Sequence, residues 1–167
     1  MTFVIRPADP ADAQGLKELG DEVSAEPEGW LATQDGWRSV GDERRYLRAI
    51  RRYPHAAVFV AEAEDGTIVG RLSVGRDQHP ASKHVADLGL MVAKSHRRQG
   101  IGRALLEAAE GWARDAGVRK IELHVFPWNE AAIALYEQVG YLREGYRKGH
   151  YRQGDEYVDA ILMAYEL

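Results

Sequence analysis

Met91-Val92-Ala93-Lys94-Ser95-His96-Arg97-Arg98-Gln99-Gly100-Ile101-Gly102-Arg103-Ala104-Leu105-Leu106 runs from the end of a strand, through a short basic loop, into a helix. The first N–H groups of any helix lack an intrahelical acceptor, and the helix dipole adds positive potential there. Phosphate oxygens bind to that combination. Gly100 and Gly102 present no side chain to hold a pyrophosphate away, and Arg97, Arg98 and Arg103 add cationic charge. An ordinary strand-to-helix turn can also need glycines for tight geometry, so glycine spacing alone leaves both readings open. Two other phosphate loops fail on residue identity. A Walker loop needs Lys and then Ser or Thr after its last glycine, where this chain has Arg103-Ala104. A dinucleotide fingerprint needs a third glycine, where this chain has Leu105.

Downstream, the pattern predicts a helix over 102–116, with Leu105, Leu106, Ala109, Trp112, Ala113 and Ala116 on its buried side and Gly117 as its stop. A strand over 120–125 and a helix over 129–139, stopped by Gly140, follow. The C-terminal part reads as strands, with a turn at Gln153-Gly154-Asp155 and a last strand over 157–165. Upstream lies a meander of strands over 57–62, 68–74 and 83–92, its first turn at Glu64-Asp65-Gly66. The chain opens with a strand over 3–6. A helix over 11–24 comes next, with Asp9 as its cap and Pro10 at its start. Residues 25–41 read as a long loop, and 42–52 as a helix ending before Pro54. A meander followed by α/β alternation makes a mixed α/β (α+β) domain.

A chain of 167 residues suits one domain spanning 1–167. It has no cysteine, which excludes disulfides, thiolate zinc sites and a cysteine nucleophile. His79, His84 and His96 show no metal-ligand spacing, so no metal is expected. The net charge of −4 argues against general nucleic-acid binding. The N-terminus lacks the basic start and apolar run of a signal peptide, and no stretch approaches the length of a membrane span. A cytoplasmic protein with no membrane partner is the expectation.

Arg97-x-x-Gly100-x-Gly102 resembles the R/Q-x-x-G-x-G/A signature of the GNAT N-acetyltransferase superfamily. Asn129-Glu130-Ala131-Ala132-Ile133-Ala134-Leu135-Tyr136-Glu137-Gln138-Val139-Gly140-Tyr141 resembles its second hallmark, N-x-x-A-x-x-L-Y-x-x-x-G-F/Y. Ile5-Arg6-Pro7-Ala8 also fits the family's first strand. The resemblance implies the GNAT acyl-CoA N-acyltransferase fold, a mostly antiparallel sheet of about seven strands flanked by about four helices. It implies an N-acetyltransferase that moves acetyl from acetyl-CoA to a primary amine within a ternary complex. Leu90, Met91 and Val92 would then lie on a splayed fourth strand whose backbone pairs with pantetheine and the acetyl carbonyl. Arg98, Gln99, Gly100, Ile101, Gly102 and Arg103 would cradle the pyrophosphate, with Arg97 opening the motif. Asn129 would hydrogen-bond the pantetheine arm, and Tyr136 would protonate the departing thiolate. Seven residues are about two helical turns, so Asn129 and Tyr136 share a face. Asn129 can equally be a helix cap alone, and Tyr136 a core residue.

The base is less sharply marked. An acceptor amine, protonated at neutral pH, must lose its proton before attack. His124 stands where the family's ribosomal-protein alanine acetyltransferases carry a glutamate, and an imidazole suits the task. Asp87 on the preceding strand is the second candidate, because family members often use an acid or a water chain there. Either could instead be a structural or solvated side chain. For the acceptor, a small amine or a peptide N-terminus, the resemblance makes the 25–41 loop one wall, with Glu26, Glu28 and Trp30. Tyr146, His150 and Tyr157 would form the opposite wall. Residues 143–159 resemble a branch with ribosomal-protein and polyamine acetyltransferase-like members. Relatives are often dimers, which allows a homodimer, though the sequence marks no interface. A non-catalytic acyl-CoA-binding sensor or scaffold of the same fold is the competing function, and a longer acyl donor the third.

Overall fold

A computed structural model of the chain describes residues 2–32 and 36–167. The described elements run β1 (Phe3–Pro7), α1 (Ala13–Ser24), α2 (Val40–Arg51), β2 (Ala56–Ala63), β3 (Ile68–Arg76) and β4 (Val85–Val92). Then follow α3 (Ile101–Asp115), β5 (Lys120–Val125), α4 (Glu130–Val139), β6 (Leu142–Gln153) and β7 (Glu156–Glu166). The boundaries shift where side chains intervene. The first helix starts as a 3-10 turn over Pro10–Asp12, because Asp12 turns back to accept from the Asp9 N–H at 2.7 Å and from the Arg6 guanidinium at 2.8 Å. The second begins at Val40 rather than residue 42, since the Ser39 hydroxyl caps it by accepting from the Asp42 N–H. The expected strand start at residue 83 gives way to a turn, in which the Ser82 hydroxyl bonds the Asp77 carboxylate and β4 begins at Val85. Residues 33–35 of the expected loop lie outside the described residues.

The strands form one sheet in the order β1-β2-β3-β4-β5-β7-β6. Every neighbouring pair is antiparallel except β4 with β5. Alternation along β3 assigns the faces. Arg71 reaches Glu43 of α2, while Arg76 reaches the Ala116 carbonyl at the end of α3, and these two residues are an odd number apart. So α1 and α2 cover one face of the first four strands, and α3 covers the other. Leu16, Leu19 and Leu47 are buried on the first side, and Leu105, Leu106, Ala109 and Ala113 on the second. Deleting one such leucine side chain costs about 2–5 kcal/mol. Trp112 and Ala116, expected on the same stripe, are only half-buried at the outer edge of α3. Glu43 is fully buried under α2, where the Trp37 indole and Arg38 donate to its carboxylate at 3.2 and 3.0 Å.

The parallel pair holds only three rungs, Val85, Ala86 and Asp87 against Lys120, Ile121 and Glu122. Beyond them β4 stays paired with β3 to its end, and β5 stays paired with β7. The sheet therefore opens into a wedge between residues 88–92 and 123–125.

Candidate active site

One wall of the wedge is main chain. The Ala93 N–H donates to the Val69 carbonyl at 2.8 Å, across the Gly70–Val92 pair. In an antiparallel ladder this fixes the parity: Met91 exchanges both its hydrogen bonds with Arg71, while Leu90 and Val92 direct theirs into the wedge. Of the three residues expected to present backbone groups there, Met91 is the exception. Its groups belong to the sheet, and its side chain is buried.

At the end of β4 the chain turns into α3. Gly100 is the N-cap at φ +86°, without a side-chain hydrogen bond, and Arg98 sits at φ +60°. Left-handed geometry is disfavoured for an arginine by about 1–2 kcal/mol, so this turn holds local strain. Left-handed residues separated by one of ordinary φ, as Arg98 and Gly100 are by Gln99, turn successive N–H groups toward a concavity that suits anions. The first i→i−4 bond of α3 is Ala104 to Gly100, which leaves the N–H groups of Ile101, Gly102 and Arg103 without helical acceptors. The two glycines serve different needs. A Cβ on Gly100 would meet nothing within 4 Å, so Gly100 is needed for its φ. A Cβ on Gly102 would lie 2.7 Å from the Leu135 side chain, so Gly102 lets α3 and α4 approach.

Arg97 does not join that concavity. Its Nε donates to the Val92 carbonyl at 3.0 Å, and its terminal nitrogens make a two-pronged ion pair with Glu26 at 2.7 and 2.6 Å. The Trp30 indole donates to the same carboxylate at 3.1 Å. Burial alone would raise the Glu26 pKa, but the hydrogen bonds and charge of Arg97 outweigh it and hold the pKa below the usual range. Glu26 and Trp30 are thus bound to each other and to the end of β4, not aimed into open space.

On α4, Asn129 is the N-cap and accepts from the Ala132 N–H at 3.3 Å. Two turns on, Tyr136 is 6% exposed, and burial pushes its phenol well above the ordinary value. The phenol is therefore neutral at any moderate pH.

The other side of the wedge is built from side chains. Asp87 and Glu122 form the last parallel rung, so they stand side by side at the vertex. Asp87 is exposed in part, yet loss of hydration to the atoms around it, with the charge of Glu122 second, pushes its pKa up to about 6. His124 lies two residues beyond Glu122 on the same face, opposite the side covered by α3. Its Nδ1 is 3.0 Å from the Tyr151 hydroxyl, and the His150 ring is 5.0 Å away. Burial, then Arg147 and His150, lower the His124 pKa. The aromatic series continues past the end of β5, with Tyr151 edge-on to Phe126 at 5.7 Å and Phe126 stacked on Trp128 at 4.6 Å.

So the structure brings Asp87, His124 and His150 together. It adds Glu122 and Tyr151, which the sequence reading missed. Glu122 is signalled only by strand parity, and Tyr151 is placed by a register shift in β6 between Arg147 and Tyr151, from which its hydroxyl reaches His124. Tyr146 and Tyr157 are not part of this group. Tyr146 pairs with Ile161 and lines an open groove of about 710 Å³ against Ile133, Ala134 and Glu137 of α4. Tyr157 pairs with Arg152, on the face opposite Tyr151, and is 71% exposed. The pleat turns both away from His124. The Glu28 carboxylate is exposed, and its carbonyl accepts from the Trp128 indole at 2.9 Å. Among the described residues no cluster of three or more His, Asp or Glu side chains is placed to hold a metal ion, and no helix is long and apolar enough to cross a membrane.

Known proteins resemble this chain in sequence and fold. The chain is 38% identical over 104 residues to the L-amino acid N-acetyltransferase AaaT of Escherichia coli, covering 60% of this chain and 62% of that protein. It is 41% identical over 75 residues to the Escherichia coli ribosomal protein bS18-alanine N-acetyltransferase, covering 45% of this chain and 51% of that protein. These matches span roughly half to three fifths of the curated relatives' length. A GNAT-family acetyltransferase structure from Streptococcus pneumoniae superimposes with TM-score 0.89 and 28% identity, over 99% of this chain and 100% of that one. A ribosomal-protein-alanine N-acetyltransferase from Brucella melitensis gives 0.86 and 27%, over 98% and 99%. The acetyltransferase (GNAT) family model matches residues 23–141, and with the wedge, the glycine turn and both sequence hallmarks in place the chain belongs to that family.

Proposed function

We propose that this chain is an N-acetyltransferase that moves the acetyl group of acetyl-CoA onto a primary amine by direct attack. The observation that carries this reading is the wedge itself: a free strand edge leading straight to an uncapped helix start. Those features fit coenzyme A. The Leu90 groups and the Val92 N–H suit the amides of a pantetheine arm, and the N–H groups of Ile101, Gly102 and Arg103 suit a pyrophosphate. Arg98, Gln99 and Gly100 shape that turn, and the exposed Arg98 and Arg103 add charge.

Bound acetyl-CoA supplies the thioester. The chain supplies proton handling and positioning. Asp87, with a pKa about 6, is deprotonated at neutral pH and basic enough to take a proton from an ammonium through water. His124, neutral and bonded to Tyr151, serves as a second acceptor or as an anchor for that water. The amine nitrogen attacks the carbonyl carbon, the carbon–sulfur bond breaks, the Tyr136 hydroxyl gives its proton to the sulfur, and the proton the nitrogen sheds as the amide forms restores the phenol. Asn129 orients the arm from the start of the same helix. Lacking any cysteine, the chain can form no cysteinyl-acyl intermediate, which supports a ternary complex. A cytoplasmic setting, without nucleic-acid or membrane partners, is part of the same reading.

The test is CoA release from acetyl-CoA across a panel of amines: polyamines, peptide N-termini, free amino acids and aminoglycosides. Turnover with one class is expected. Tight acetyl-CoA binding without turnover would point to a sensor or scaffold, and faster turnover with longer thioesters to another acyl donor. No affinity for CoA or its esters would end the assignment.

A further inference from the structure

The loop after α1 and the hairpin joining β6 to β7 meet across the aromatic end of β5. The Gln153 side-chain amide, at the hairpin tip, donates to the carbonyls of Gly29 at 3.3 Å and Leu31 at 2.9 Å. One residue earlier along the same loop, the Glu28 carbonyl accepts from Trp128 at 2.9 Å. Two residues before that, Glu26 is clamped by Arg97. Residues 26–31 are therefore a strap fixed at three places: the end of β4, the β5–α4 junction and the β6–β7 hairpin. Gly29 is buried and Gln153 half-buried, so the stitch is sheltered from water. The Tyr151–His124 bond and the Tyr151–Phe126–Trp128 ring contacts close the space beneath it.

An extended polypeptide laid across His124 would have to pass between the loop and the hairpin. Those segments are bonded to each other. Room remains on the other flank, beside Asp87, where Ser73, Gly75 and Gly89 share its face and carry little or no side chain. The two curated relatives differ on this point: one is named for free L-amino acids, the other for the alanine of a ribosomal protein. Resting on the acetyltransferase reading above, we infer that the acceptor is a small free amine the size of an amino acid, and that the Gln153 stitch excludes protein N-termini.

The experiment compares CoA release with free L-amino acids and with hexapeptides that begin with the same residues. In the unmodified protein the best free amino acid should exceed its hexapeptide in kcat/KM by about tenfold or more. Gln153→Ala and, independently, Gln153→Glu should raise the peptide-to-amino-acid ratio by about tenfold, because both remove the donor that joins the two segments. Unchanged thermal midpoints, with faster hydrogen exchange at residues 29–32, would tie that change to the opened strap. Preference of the unmodified protein for a hexapeptide overturns the inference, as does an unaltered ratio in both variants. Absence of turnover with every acceptor overturns the acetyltransferase reading and this inference with it, which sets it apart from peptide turnover.

Discussion

The two sides of the wedge are made of different materials. The β4–α3 side is main chain: N–H groups left over at the Leu90–Val92 edge and at Ile101–Arg103. The β5 side is side chains drawn from distant strands and loops: Asp87, Glu122, His124, Tyr151 and the strap at 26–31. A ligand common to a whole family can be held by backbone geometry that tolerates drift in side chains. A ligand that distinguishes one member from another must be read by side chains. The main-chain side accordingly suits the donor, and the side-chain side the acceptor.

The largest expected effect tests whether α4 belongs to the chemistry. Tyr136→Phe should lower kcat by about 100-fold or more while the acetyl-CoA Kd stays within about twofold. Equal activity in steady-state assays would return Tyr136 to the core. Next, Asp87→Asn should lower kcat/KM by about 100-fold and remove the rise of activity with pH that the unmodified protein shows as Asp87 loses its proton near pH 6. If the pH profile survives the substitution, the base lies elsewhere.

The glycines sharpen the main-chain half of the comparison. Gly102→Val must push Leu135 away, so it should weaken acetyl-CoA binding by about tenfold in calorimetry. Gly100→Ala meets no neighbour but keeps a positive φ, so its cost should be about 1 kcal/mol of stability in denaturant titration. Equal effects of the two would mean that close helix approach and left-handed geometry are not separable here. His124→Asn should reduce kcat/KM only about threefold if Asp87 is the base, and a loss exceeding that of Asp87→Asn would reverse the assignment.

The smallest effect is on stability. A carboxyl whose folded pKa is raised binds its proton more tightly when folded, so stability falls as pH climbs from about 4 to the folded value near 6. Asp87→Asn removes that loss. Its thermal midpoint should rise relative to the unmodified protein above pH 6 and match it near pH 4. The solvent-open position of Asp87 keeps the difference small.

Much of the fold was legible because its signals are local. The 120–125 strand, the α3 stripe at Leu105, Leu106 and Ala109, and the stops at Gly117 and Gly140 all follow from periodicity or from residue conformational preference. The turn between β4 and α3 was legible for the same reason, since it occupies a dozen consecutive residues. Arg97 was misplaced because its motif position says nothing of Glu26, 71 residues earlier. Tyr146 was misplaced because register shifts in β6 reset which of its side chains share the His124 face, and Tyr157 because the pleat of β7 turns it to the opposite face.

By itself, then, the sequence determined the order of elements, the turn at Arg97–Gly102 and the helix carrying Asn129 and Tyr136, since each depends on neighbours a few residues away. Only the tertiary structure decided that the parallel rungs stop at Asp87 and Glu122, that Tyr151 comes down on His124, and that Gln153 ties the strap. Those facts depend on strand register and on contacts between residues more than 25 positions apart. Register is settled by packing the whole sheet at once, and no short stretch of chain contains it.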